Sequence, residues 1–234
     1  MRQRNPERLD GLIEAALRVF GRVGFARAQM ADIALEAGVS IGTLYNYVES
    51  KDALVLLCMS RAFAVGLPDR SKLPLAAPSW DETLNAIEER LEVLLRLPTL
   101  EHALSHVPRT GADVAGELRA IVMELYTFVE TTRSGAAALE RSAADLPDLA
   151  EAYFGRVRRR LLDRLAAYLE DRIVRGLLPP VPDVATAARF VVESVAWFAR
   201  HRFGDFDGAE LPSNDVRDTT VELVVRALTA QEAR

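Results

Sequence analysis

The chain has 234 residues, half of them hydrophobic, and 29 Lys/Arg against 34 Asp/Glu give it a net charge of −5. That is apolar material enough for one or two cored domains, and the lack of any run of about 18 apolar residues excludes a membrane-spanning helix. The lone cysteine, Cys58, excludes an intrachain disulfide, and the opening Met-Arg-Gln-Arg-Asn has no apolar stretch behind it, so the expectation is a cytoplasmic protein without a secretory signal and with a buried thiol.

In chain order, Asn5 is a good N-cap with Pro6 at the first helical position, and Leu9, Leu12, Ile13, Ala16, Leu17 and Phe20 then recur at helical spacing until Gly21 and Gly24. Short helices follow over Gln29–Ala37 and Ser40–Val48. Ser50 caps a longer one from Lys51 to about residue 65. Gly66, Pro68, Pro74 and Pro78 predict a loop, after which Ser79 caps Trp80–Leu97. Further helices are expected over Thr99–His106, Asp113–Arg133, Ala136–Ala144, Asp148–Arg175, Asp183–Arg202 and Asn214–Thr229, with no strand pattern and no internal repeat. The chain reads as all-α.

The second and third short helices are joined by a tight turn. Gly38 suits the left-handed conformation that reverses the chain, Val39 plugs the turn, and Ser40 caps the helix that follows. Leu44 and Val48, four apart, face inward. Ile41, Gly42, Thr43, Tyr45, Asn46 and Tyr47 are left for outside contacts. Docked in a major groove, the N-terminal half would bring Ile41, Gly42 and Thr43 to base edges, with Ile41 suited to a thymine methyl. Tyr45, Tyr47 and Lys51 would hold phosphates and fix register. The charge is uneven in the same sense: residues 1–51 hold seven Lys/Arg against six Asp/Glu, net +1, and residues 52–234 hold 22 against 28, net −6. Arg2 and Arg4 form a short basic arm, whereas Arg158, Arg159 and Arg160 read as a solvated helix face.

This segment resembles the DNA-binding domain of the TetR family of bacterial transcriptional regulators. The match runs through Ala15-Ala16, Phe20, Gly24-Phe25, Ile33-Ala34, Ala37-Gly38-Val39-Ser40, Gly42-Thr43-Leu44-Tyr45, Tyr47 and Ser50-Lys51. Where the family has a hydroxyl pair before the second helix, this chain has Ala28 and Gln29, so capping there should be weaker and Gln29 would supply a different phosphate contact. Ala31 and Val48 also depart from the pattern. The resemblance implies a three-helix helix-turn-helix domain over 1–51 and a helical ligand-binding and dimerisation domain over 52–234. It implies a homodimeric regulator, most simply a repressor, released from a palindromic operator when a small effector, apolar or aromatic to judge by the candidate lining below, displaces the helix that starts at Lys51.

Candidate lining for an effector pocket comprises Phe63, Trp80, Leu84, Leu91, His102, His106, Met123, Tyr126, Phe128, Tyr153 and Trp197. The candidate dimer seam is Phe190, Val191, Val195 and Phe198 on one late helix and Val221, Val224, Val225 and Leu228 on the last. His102 and His106 could share a helix face as metal ligands do, but no third ligand stands at a recognisable spacing, so no metal is expected. No cofactor motif, phosphate loop, nucleophile elbow or acid–base pair is present, which makes an enzyme the weaker reading; a helical protein-interaction module with degenerate DNA binding is the other alternative.

Overall fold

Helix follows helix wherever apolar residues recur three and four apart. The computed structural model describes residues 6–62, 73–76, 79–106, 108 and 110–230. Its helices are α1 (Pro6–Val23), α2 (Met30–Glu36), α3 (Ile41–Tyr45), α4 (Lys51–Ala62), α5 (Trp80–Leu94), α6 (Pro98–Ser105), α7 (Gly111–Thr131), α8 (Arg133–Ala143), α9 (Pro147–Ala150), α10 (Arg159–Val174), α11 (Val184–Ala199) and α12 (Ser213–Thr229). A π-helical stretch, Glu151–Arg158, joins α9 to α10, and short 3₁₀ turns lie between α11 and α12. Among the described residues there is no strand, only an isolated backbone bridge between Val48 and Leu75. None of the described helices is long and apolar enough to cross a membrane.

Of the caps read from sequence, those at Ser50 and Ser79 form as expected, while Asn5, like Arg2 and Arg4, lies outside the described residues. Ser50 Oγ accepts from Ala53 N–H at 3.1 Å, and Asp183 Oδ1 from Thr186 N–H at 2.7 Å. Ser79 makes a reciprocal pair, its N–H donating to Glu82 at 2.8 Å while its hydroxyl accepts from Glu82 N–H at 3.3 Å. The hydrogen bonds from Ser79 hold the Glu82 carboxyl below its ordinary range. Two expectations differ. The helix from Trp80 stops at Leu94, short of Leu97, whose φ of 52° is non-helical. The single helix expected over 148–175 is interrupted by the π-helical stretch. Gly155 lies inside that stretch and weakens an α-helical interior; the Glu151 carboxyl sits where a Cβ at 155 would stand.

One unit comprises Met1–Leu94 with Thr132–Val157, the other Leu95–Thr131 with Arg158–Arg234. In the first, α8 returns to pack along α1, and α4 lies against α1, α5 and α8. The core is built from Leu9, Leu12, Ile13, Ala16 and Phe20 of α1, Leu54, Leu57 and Cys58 of α4, and Ala138 and Leu139 of α8, all buried. In the second unit α7 touches α6, α11 and α12, while α10 lies on α6 and α11. Tyr126 is buried there, its hydroxyl donating to Phe198 O at 3.2 Å.

Two buried arginines organise the second unit's corners. Arg172, 1% exposed, donates to Glu117 through Nε (3.0 Å) and Nη2 (3.1 Å), and caps the end of α6 through Ala103 O (2.6 Å) and His106 O (2.9 Å). It also pairs with Asp171. Arg202, fully buried, donates to Phe198 O at 2.8 Å, Gly208 O at 3.2 Å, Leu211 O at 3.0 Å and Ser213 Oγ at 2.7 Å. All four acceptors are uncharged. A buried guanidinium needs its donors met, and here that requirement fixes the path of the chain between α11 and α12.

Candidate nucleic-acid interface

α3 is set from both ends. Ahead of it, Gly38 adopts φ +65°, and Val39 N–H donates to Ala34 O at 2.9 Å, closing the turn after α2. Ser40 caps the helix, its Oγ accepting from Thr43 N–H at 3.2 Å and lying 2.9 Å from Thr43 Oγ1. α2 lacks a hydroxyl at its cap position, as the sequence indicates. The Asp32 carboxylate compensates by accepting from Gln29 N–H at 3.2 Å, so one of the orphan donors at that helix start is met. Ile33 and Leu44 are fully buried, locking the two helices together.

α3 is shorter than its apolar spacing suggests. It ends at Tyr45, and the chain then runs extended enough for Leu75 N–H to donate to Tyr47 O and Glu49 N–H to Leu75 O, both at 2.9 Å. That change of direction sorts the expected contact residues. Ile41 and Tyr45 are 47% and 45% exposed, Gly42, Asn46 and Gln29 are exposed, and Thr43 is half-buried. Tyr47 is only 4% exposed, so its side chain belongs to the core rather than to this face. The Lys51 ammonium is also drawn inward, donating to Phe25 O at 2.8 Å, Ala28 O at 3.1 Å and Ala26 O at 3.4 Å, and standing 4.4 Å over the Phe25 ring. Burial pushes its pKa below the usual lysine range; the carbonyl oxygens and ring face around it favour the charged form. Both residues were expected to hold phosphates; in the structure they hold the head together. At Gly42 an added Cβ would meet only Ser40 Oγ, at 4.0 Å, so nothing inside the protein demands glycine there.

The family model described as bacterial regulatory proteins, tetR family, matches residues 12–58, and one described as AefR-like transcriptional repressor, C-terminal domain, matches 117–231. The chain belongs to the TetR family of transcriptional regulators. Among curated relatives, the HTH-type transcriptional repressor KstR of Mycolicibacterium smegmatis is 29% identical over 114 residues, 48% of this chain and 56% of that protein. The HTH-type transcriptional regulator BetI of Agrobacterium fabrum is 45% identical over 51 residues, 22% of this chain and 25% of that protein. The chain thus spans well under two thirds of either relative. Two solved structures share the fold: a TetR family regulator from Streptomyces coelicolor (TM-score 0.57, 20% identity, 92% of this chain and 87% of that one) and PfmR from Thermus thermophilus (TM-score 0.54, 18% identity, 92% and 97%).

The remaining residues expected from the TetR resemblance are scattered. Trp80 and Leu84 lie in the first unit. Trp80 stacks on Phe25, with centroids 5.4 Å apart and planes at 5°. It also lines a void of about 10 Å³ with Phe20, Phe25, Val55, Met59, Ile87, Ala138, Leu139, Ser142 and Leu149. Of the expected pocket residues that are described, only Trp80 lines this void. The others that do were unreadable as a group, because α8 returns to α1 from far along the chain. Tyr153, half-buried, packs edge-on against Phe154. In the second unit Met123 is half-buried, Tyr126 is core, Trp197 is 40% exposed, and His102 and His106 stack at 4.0 Å on the surface. Phe63 lies outside the described residues.

The expected dimer seam is likewise corrected. Val191, Val195, Val221, Val224, Val225 and Leu228 are all buried within the protomer, because α11 and α12 pack on α7 and on each other. Phe198 is half-buried. The large apolar residues these helices leave exposed are Phe190 (49%), Trp197 (40%) and Leu223 (59%). Only Phe190 was assigned to the seam, since periodicity finds a second apolar stripe but not which stripe faces inward.

Proposed function

We propose that this TetR-family regulator is a homodimeric, cytoplasmic repressor that binds a palindromic operator and is released from it by a small effector. The observation that carries the reading is the outer face of α3: Ile41 and Tyr45 stand exposed on a capped, core-anchored helix beside a glycine that no internal contact requires. Ile41, Gly42 and Thr43 meet base edges in the major groove, and Gln29, Tyr45 and Asn46 contact the backbone. Tyr47 and Lys51 act one step back, by fixing the segments that flank the reading helix. Pairing through Phe190, Trp197 and Leu223 would present two heads to half-sites about 34–36 Å apart. The effector is apolar or aromatic; the void at Trp80, about 10 Å³, is lined by apolar side chains but for Ser142 and has to widen to admit it.

Selection of bound DNA from a random pool tests this. A palindrome whose binding weakens steeply with salt supports the proposal. Recovery of no preferred sequence, or of one without twofold symmetry, rejects it.

A further inference from the structure

The segment Gly24–Gln29 leads from α1 into α2 and so sets where the helix-turn-helix begins. It has few backbone bonds of its own: Gly24 N–H donates to Phe20 O at 2.9 Å and Ala28 N–H to Gly24 O at 3.2 Å. Phe25 N–H, just past the end of α1, has no helical partner. α8 supplies one. Ser142 Oγ accepts from Phe25 N–H at 2.9 Å in a buried site, while the hydroxyl proton of Ser142 goes to Ala138 O at 2.6 Å. The hydroxyl's single proton is therefore committed inside α8, which leaves its lone pairs facing the Phe25 amide.

Three further observations fall on the same junction. Gly24, at φ +81°, lies so close to α8 that a Cβ there would stand 3.0 Å from Arg141 O and 3.2 Å from Asp145 Oδ2. Arg27 Nη1 donates to Asp145 Oδ1 at 3.2 Å, and Arg27 Nε to Val23 O at 2.9 Å. α8 comes this close because, Leu139 apart, the residues it buries are small: Gly135, Ala136, Ala138, Ser142 and Ala143.

We propose that Ser142 and Asp145 are positioning residues of the DNA head: α8 holds the Gly24–Gln29 segment in the conformation that launches α2, so operator affinity depends on a helix that touches no DNA. This rests on the DNA-binding reading above. It also supplies a route for regulation within the same unit. The void beside Phe25 and Trp80 is bounded by Ala138, Leu139 and Ser142, so a shift of α8 that opens this seam draws the Ser142 acceptor away from Phe25 N–H.

Ser142→Ala and Ser142→Thr, each made in the full chain, test the proposal. Alanine leaves the buried Phe25 amide without an acceptor. Threonine keeps the hydroxyl with its bond back to residue 138 and turns its extra methyl toward the void. The expected result for Ser142→Ala is roughly tenfold weaker operator binding with an unchanged dependence on salt, because no phosphate contact is lost. Amide hydrogen exchange over residues 25–28 of the free protein is expected to rise while that of residues 12–17 in α1 does not, and Ser142→Thr is expected to restore both readouts. Wild-type affinity and exchange in Ser142→Ala would overturn the proposal. So would a Ser142→Thr variant as impaired as Ser142→Ala, since the effect would then be packing. If the wild-type protein selects no DNA, the functional reading fails on its own, and exchange at residues 25–28 alone decides whether α8 holds the segment.

Discussion

Substituting Gly42 by alanine separates fold from function at one atom. Position 42 is in the first turn of a five-residue helix, where glycine costs up to about 1 kcal/mol relative to alanine. The added Cβ would meet nothing nearer than Ser40 Oγ at 4.0 Å, and φ at 42 is not among the positive values. No strain offsets the gain, so Gly42→Ala should unfold at equal or higher urea concentration, with a stability change between zero and about +1 kcal/mol. In the proposed docking the same methyl projects from the face that approaches the groove. Backing the helix away by a methyl's thickness sacrifices one good base contact, worth about 1–3 kcal/mol, or roughly five- to 150-fold in affinity. The assay pairs urea denaturation with titration of the selected operator at fixed salt. A variant that keeps its stability and also binds operator with wild-type affinity would show that the backbone at 42 does not approach DNA, and the docking would be wrong.

Further outcomes are expected. Lys51→Met should destabilise the head by about 2 kcal/mol in urea titration, since it removes charge-assisted bonds to Phe25 O and Ala28 O and a ring contact, offset by relief of the desolvated ammonium; if Lys51 instead gripped a phosphate, the log–log salt slope of binding would fall by about 0.9. Ile41→Ala should relax the sequence preference recovered from a random pool more than it weakens binding to non-specific DNA, while Tyr45→Ala should weaken both alike. Phe190→Glu with Trp197→Glu should yield folded monomers in sedimentation analysis, whereas Val195→Asp, at a fully buried position, should fail to fold.

The sequence disclosed most where chemistry is local. Gly38, Ser40, Ser50 and Ser79 each announce a turn or a cap, and each performs it. It disclosed least where a distant segment decides the outcome. Tyr47 and Lys51 sit at spacings that look outward as long as α3 runs to Val48. In the structure α3 ends at Tyr45, Val48 bridges to Leu75, and both residues turn inward. α11 and α12 carry more than one apolar stripe, and only their packing on α7 shows that Val191, Val195, Val221 and Val224 face inward. The return of α8 to the head left a weaker trace: small residues at helical spacing from Gly135 to Ala143, which permit a close approach without naming the partner.

Arg172 and Arg202 solve the same problem by different chemistry, and the difference has a consequence in acid. Arg172 leans in part on Asp171, whose carboxyl is held below its ordinary range, against the upward pull of burial, by its bonds to Arg175 and Arg172; that stabilisation is lost as the pH falls through the lowered value. Arg202 leans on carbonyls and a hydroxyl, which carry no charge to lose. The Arg172 corner should therefore give up part of its stabilisation in acid, while the corner between α11 and α12 keeps its shape. Of the two corners Arg172 and Arg202 organise in the second unit, the one beside Trp197 is the one built to outlast low pH.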